Sequence, residues 1–256
     1  YLIPMSTISI LGIPFYNETV ACCFAHLAER GGLLTVPSGP GLASIPKEPT
    51  YYASVRSSDI VIADSGYMAL IWNQLSKQKV NRISGLAFMN YFLEAYPRQK
   101  EQKSVFLVNP TAEEQAINIA FLASQGISVA ASHTYVAPQY AKGAVLDPVL
   151  VAQLEATRPH WVFLNIGGGT QEILGAYLKQ QLSYRPAIVC TGAAIAFKTG
   201  QQVGIPRWVD TFCLGWFWRI ASAPTKYIGR YWNSFSLAKL LWKYKDQPFP
   251  YASQPG

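Results

Sequence analysis

Strand-length apolar runs alternate with longer amphipathic stretches along this chain, and that alternation restricts its fold more than any other feature. The strand-like runs are TISILGIPF (7–15), GLLTVP (32–37), DIVIADS (59–65), SVFLVN (104–109), ISVAAS (127–132), HWVFLNI (160–166) and AIVCTGAA (187–194). Helix-period stretches lie between them at TVACCFAHLAERGG (19–32), AEEQAINIAFLASQG (112–126), DPVLVAQLEATR (147–158) and QEILGAYLKQQL (171–182). Strands that alternate with helices of this length predict an α/β protein with a mostly parallel sheet flanked by helices. In such sheets ligands bind outside the carboxyl ends of the strands, so candidate site residues are sought just after each strand.

The chain has 256 residues, enough for one core or for one core with a small appendage. Its charge favours the second arrangement. From Arg207 to Lys245 there are seven Lys/Arg against the single acid Asp210, so this stretch carries +6 of the net +7. It is also rich in tryptophan, and the composition shift near GIPRW (204–208) divides a body, 1–206, from a basic aromatic appendage, 207–256. Pro224 breaks the appendage into two helical pieces. In the second piece, Leu237, Leu240, Leu241 and Tyr244 form one apolar stripe with Lys239 and Lys243 elsewhere on the surface, a pattern expected to lie against an anionic membrane.

No uninterrupted apolar run reaches the length of a spanning helix, and the opening YLIPMSTISILGIPF reads as a first strand, with no basic n-region or small-residue cleavage site. Cys22, Cys23, Cys190 and Cys213 contain no C-x-x-C pair, and His26, His133 and His160 are scattered singly, so neither a metal centre nor a cofactor is expected.

Asp64 follows the apolar run IVIA and precedes Ser65 and Gly66. A carboxylate on such an open turn is placed to accept a proton from a substrate hydroxyl, or equally to cap the helix YMALIWNQL. The loop TVPSGPGLAS (35–44) and the turn GGGTQE (167–172) could each bring backbone N–H groups to a phosphate or sugar, or serve as plain turns. Arg82 in NRISG is available as a phosphate clamp or as a surface arginine. Arg219, amid Trp216, Phe217 and Trp218, is directed at an anion or stacked on a ring, and the aromatics themselves could cover a flank of the sheet.

Taken in order, these pieces resemble the WecG/TagA/CpsF family of glycosyltransferases: LGIP (11–14), T-x-P (35–37), ADSG (63–66), NRISG (81–85), the Q-E of GGGTQE, GAAIAFKTG (192–200), and W-x-x-R with a downstream R-Y in GWFWRI and RYW. The resemblance implies a Rossmann-like core, with a C-terminal appendage that meets the membrane. It implies inverting, metal-independent transfer of an N-acetylhexosamine-type sugar from a UDP donor to a polyprenyl-diphosphate-linked saccharide in cell-surface polysaccharide synthesis. N-acetylmannosamine or its uronic acid is the expected sugar, and the place of work is the cytoplasmic face of the plasma membrane. Asp64 matches the family's general base; Thr35 and Gln171 match the sugar-nucleotide pocket; Arg82, Arg219 and Arg230 match arginines near the diphosphates.

The sequence departs from the family pattern at Pro37, at Leu86 and Ala87, at Asn109 and Pro110, at Gly204 and at Gly215. Those substitutions motivate an alternative, a catalytically degenerate member that binds a lipid-linked saccharide or a partner. A nucleic-acid surface is not expected, because the basic residues of the tail are interleaved with an apolar stripe and no nucleic-acid motif accompanies them. A homo-oligomer that covers the sheet flank is compatible with the pattern, though no motif selects it.

Overall fold

The computed structural model describes residues 6–141, 143, 145–192, 194–200 and 235–251. Eight strands form one sheet: β1 Thr7–Ile10, β2 Ile13–Tyr16, β3 Gly32–Thr35, β4 Ile60–Val61, β5 Val105–Asn109, β6 Thr134–Val136, β7 Trp161–Leu164 and β8 Ala187–Cys190. Their order is β1-β2-β4-β3-β8-β7-β5-β6. Only the β1–β2 hairpin is antiparallel; the other neighbours run parallel. After β3 the chain moves to one side to form β4, and β8 returns along the other side, with Thr35 in register with both Val61 and Cys190. The order of the strands reverses between β3 and β8, which opens a crevice at their carboxyl ends.

The helices are α1 Val20–Arg30, α2 Gly39–Ala43, α3 Pro49–Arg56, α4 Gly66–Leu75, α5 Gly85–Ala95, α6 Ala112–Ser124, α7 Pro148–Thr157, α8 Thr170–Gln181, α9 Ala194–Lys198 and α10 Phe235–Tyr244. Strand side chains alternate between two layers, as the pleat requires. Leu34, Ile60, Ile62, Leu107, Phe163 and Val189 meet α1, α5 and α6 on one face. On the other face Leu33, Phe106, Val108, Leu164 and Ile188 meet α7 and α8, while Val61 and Ala63 meet α3 and α4. This is the mostly parallel α/β arrangement that the alternation predicts, and the Rossmann-like core that the family resemblance implies. Side-chain caps set the helix starts: Thr19 accepts from Cys22 N at 3.2 Å, Ser65 from Met68 N at 3.2 Å and Ser84 from Ala87 N at 3.0 Å.

Two sequence expectations differ from the fold. The run 7–15 is a hairpin, because Leu11 (φ 54°) and Gly12 (φ 70°) form a tight left-handed turn in its middle. The run 127–132 is not a strand; the chain there closes a helix turn, and β6 pairs with β5 only from Thr134.

The apolar stripe of α10 also needs correction. Leu237 and Leu241 are fully buried against α2, α4 and the hairpin, and Leu240 and Tyr244 pack beside them, so the stripe faces the core and not a membrane. Dry packing against Leu42, Met68 and Trp72 satisfies a stripe of this kind as well as lipid does. Beyond α10 the chain lies across the hairpin: Leu11 N donates to Lys245 O at 2.7 Å, Gly12 N to Asp246 O at 3.1 Å and Phe249 N to Tyr52 Oη at 3.0 Å. Residues 235–251 are thus packed into the body. The expected boundary at 206/207, the break at Pro224, and Arg219 and Arg230 lie outside the described residues.

Candidate active site

At the crevice, the segment after β4 runs through Ile62 and Ala63 and delivers Asp64 to the turn before α4. The cap of α4 is Ser65, so the capping alternative for Asp64 is taken by its neighbour. The Asp64 carboxylate instead reaches the start of α5, where Gly85 N donates to Oδ1 at 3.1 Å. The positive end of an eleven-residue helix then complements the negative charge. Arg82 comes to the same place and donates from Nε to the Asp64 carbonyl at 2.9 Å. Two candidates separated in the chain are joined here, with a half-buried carboxylate and a half-buried guanidinium on one turn.

The first residue of α5 fits closely beneath the turn that follows β8. A Cβ on Gly85 would stand 3.0 Å from Thr191 O and 3.3 Å from Val36 Cγ1. On the other side of that turn sits Gln171, in the first turn of α8. Its Oε1 accepts from Gly192 N at 3.1 Å, and its Nε2 donates to Glu172 Oε1 at 3.1 Å and, more loosely, to Cys190 O at 3.5 Å. With 1 % exposure and its amide engaged on both sides, Gln171 braces the 190–192 turn.

Next to it, Glu172 is buried, and its second oxygen accepts from Gly169 N at 2.6 Å. This closes the start of α8 on the glycine turn (Gly169 φ 95°). Burial pushes the Glu172 carboxyl above its ordinary range, against the opposing hydrogen bonds from Gln171 and Gly169. Its charge in turn adds to the burial that raises the Tyr51 and Cys190 pKa values. Among the described residues, nothing within 4 Å would meet a Cβ at Gly167, Gly168 or Gly169, so this turn is open where side chains would stand.

Thr35 lies at the end of β3 beside Cys190. Its buried hydroxyl donates to Ser58 Oγ at 3.0 Å, which ties the strand end to the segment before β4. Farther along the sheet, Asn109 Oδ1 accepts from Asn118 Nδ2 at 2.8 Å and Asn165 Nδ2 at 3.2 Å, so neutral amides occupy the ends of β5 and β7. Among the described residues, no group of three or more His, Cys, Asp or Glu could hold a metal ion.

Sequence reasoning singled out Asp64, Arg82 and Gln171, but not Gly85, Thr191 or Glu172 as working parts. For Glu172 a signal was present: a Glu three residues after the cap position of a helix is the capping-box spacing. For Gly85 and Thr191 no local pattern exists, because their partnership joins segments far apart in sequence.

A carboxylate, an arginine and a glycine turn at the start of a helix thus gather at the strand ends near the switch point, where sheets of this kind bind ligands. Comparison with protein families gives a match over residues 8–249 to the family described as Glycosyl transferase WecG/TagA/CpsF family. No curated protein matches the chain.

Proposed function

The chain belongs to the WecG/TagA/CpsF glycosyltransferase family, whose members act in cell-surface polysaccharide synthesis with a sugar donor and a lipid-linked acceptor, and from that premise we propose that Asp64 is the general base of an inverting transfer. The donor is a UDP-activated N-acetylhexosamine, with N-acetylmannosamine or its uronic acid as the first choice, and the acceptor is a saccharide on a polyprenyl diphosphate. An acceptor hydroxyl attacks the anomeric carbon while its proton passes to the Asp64 carboxylate. The bond from the anomeric carbon to the UDP oxygen breaks, and the leaving diphosphate carries away the electron pair and the negative charge.

The observation that carries this reading is the Asp64 turn, where Gly85 N fixes one carboxylate oxygen and Arg82 fixes the backbone. Arg82 together with Arg219 and Arg230 offsets the charge of the diphosphates. The open glycine turn at 167–169 receives the donor diphosphate on backbone N–H groups other than that of Gly169, which Glu172 holds, and Thr35 and Gln171 shape the wall behind it.

The test is Asp64→Asn. It should lower transfer by about 100 to 10,000-fold while far-UV circular dichroism and UDP affinity stay at wild-type values. Full turnover in this variant would remove Asp64 from the mechanism. Acceptor-dependent UDP release by the wild-type protein separates an enzyme from a degenerate binding member.

We further propose that the protein docks on the anionic inner face of the plasma membrane, through a surface other than the buried stripe. No helix of the described residues is long and apolar enough to cross a membrane. Trp242 is 68 % exposed on α10, Lys239 and Lys243 are exposed on the same helix, and Leu70 and Leu75 are exposed on α4, against which α10 packs. A tryptophan among lysines suits the headgroup region.

A further inference from the structure

Glu172 is a buried carboxylate that accepts from the Gly169 N–H and the Gln171 amide. No salt bridge to it occurs among the described residues. A charge taken out of water in this way costs stability unless it is compensated, and such groups concentrate where a site needs them. Its surroundings locate that need. Oε2 holds the Gly169 N–H, and so the geometry of the open turn 167–169. Oε1 holds the Gln171 amide, whose other end holds Gly192 N at the 190–192 turn. That turn in turn lies against Gly85, the residue that donates to Asp64. Both oxygens of one carboxylate are therefore needed at once, each accepting from a different segment, and only the ionised acid offers two acceptors of equal strength.

We propose that Glu172 is a positioning residue for the diphosphate of the donor: its carboxylate locks the glycine turn 167–169 and, through Gln171, the 190–192 turn into the shape that receives it. This rests on the nucleotide-donor reading above. A capping role alone predicts that loss of Glu172 weakens the fold, whereas a positioning role predicts that the fold tolerates the loss and the site does not.

The experiment compares the wild-type chain with Glu172→Gln, which keeps the volume and removes the charge and one acceptor. Hydrogen exchange should speed up in peptides spanning 167–171 and 190–192 and stay unchanged in β5 and α6. The Tm at pH 8 should be unchanged or higher, and the gap between the two proteins should shrink as the pH falls, because wild-type Glu172 is then neutral too. Affinity for UDP, measured by calorimetry, should fall about tenfold or more, the scale of one lost charge-assisted hydrogen bond.

Glu172→Asp, which retains the charge on a shorter arm, should repeat the faster exchange. A lower Tm at pH 8, or unchanged exchange at both turns, overturns the proposal. Equal UDP affinity in variant and wild type overturns the role toward the donor. If the wild-type protein binds no UDP, the donor assignment fails instead, and the exchange result alone decides the positioning role.

Discussion

Among the described residues, the carboxylates of Asp64 and Glu172 stand near the switch point, and their environments set them apart. Asp64 is half-buried and faces the start of α5, whereas Glu172 is fully enclosed, with Tyr51 and Cys190 as the titratable groups that face it. Its ordinary value is 4.5 and burial raises it in the fold. A raised value means that the stability associated with the neutral acid is present below about pH 4.5 and is lost as the pH rises through the folded value. The wild type should therefore lose stability relative to Glu172→Gln over that acid-to-neutral window, which denaturant melts at a series of pH values will show. Gly85 makes a second prediction at this scale. Gly85→Ala places a methyl 3.0 Å from Thr191 O, so the turn or the helix start must shift. The expected result is a transfer rate at least about tenfold lower, the scale of a misplaced reacting group, with the helix content retained.

Among the elements, α10 shows what a periodic sequence reveals and what it leaves open. The stripe Leu237, Leu240, Leu241 and Tyr244 was legible, as was the helix that carries it, because period and propensity are local. Its partner was not legible, since lipid and a protein core present the same apolar surface to a helix. The strand ends behaved in the same way. Asp64 stood out by following an apolar run, and Gln171 by its place at a helix start. The brace from Gly169 through Glu172 and Gln171 to Gly192 depends on β7 and β8 lying side by side, which no single segment encodes. The two faces of α10 are separable by mutation. Leu241→Ala should cost about 2–5 kcal/mol in unfolding free energy and leave vesicle binding per folded molecule unchanged. Trp242→Ser should leave stability within about 0.5 kcal/mol and weaken binding to vesicles that contain phosphatidylglycerol. If both variants bind such vesicles like the wild type, α10 is not the docking surface.

For the molecule as a whole, the described part of the C-terminal segment, residues 235–251, does not sit apart from the sheet. It covers Leu11, Leu42 and Trp72 and caps the turn of the hairpin, so removal of residues 235–256 uncovers an apolar cluster. Such a truncation should aggregate or melt well below the full chain, in contrast to the behaviour expected of a detachable appendage, and sedimentation with a thermal melt will distinguish the two. The contact between hairpin and tail also bears on how the molecule is made. Ser9 Oγ donates to Asp246 O across 237 positions, and Leu11 and Gly12 reach the same segment. The turn of the first hairpin must wait for residues translated more than two hundred codons later before its Leu11 and Gly12 N–H groups find their partners. Until then the hairpin turn and the apolar cluster beneath it stand open to solvent, and the nascent chain depends on slow long-range closure, or on a chaperone, to pass through that interval without aggregating.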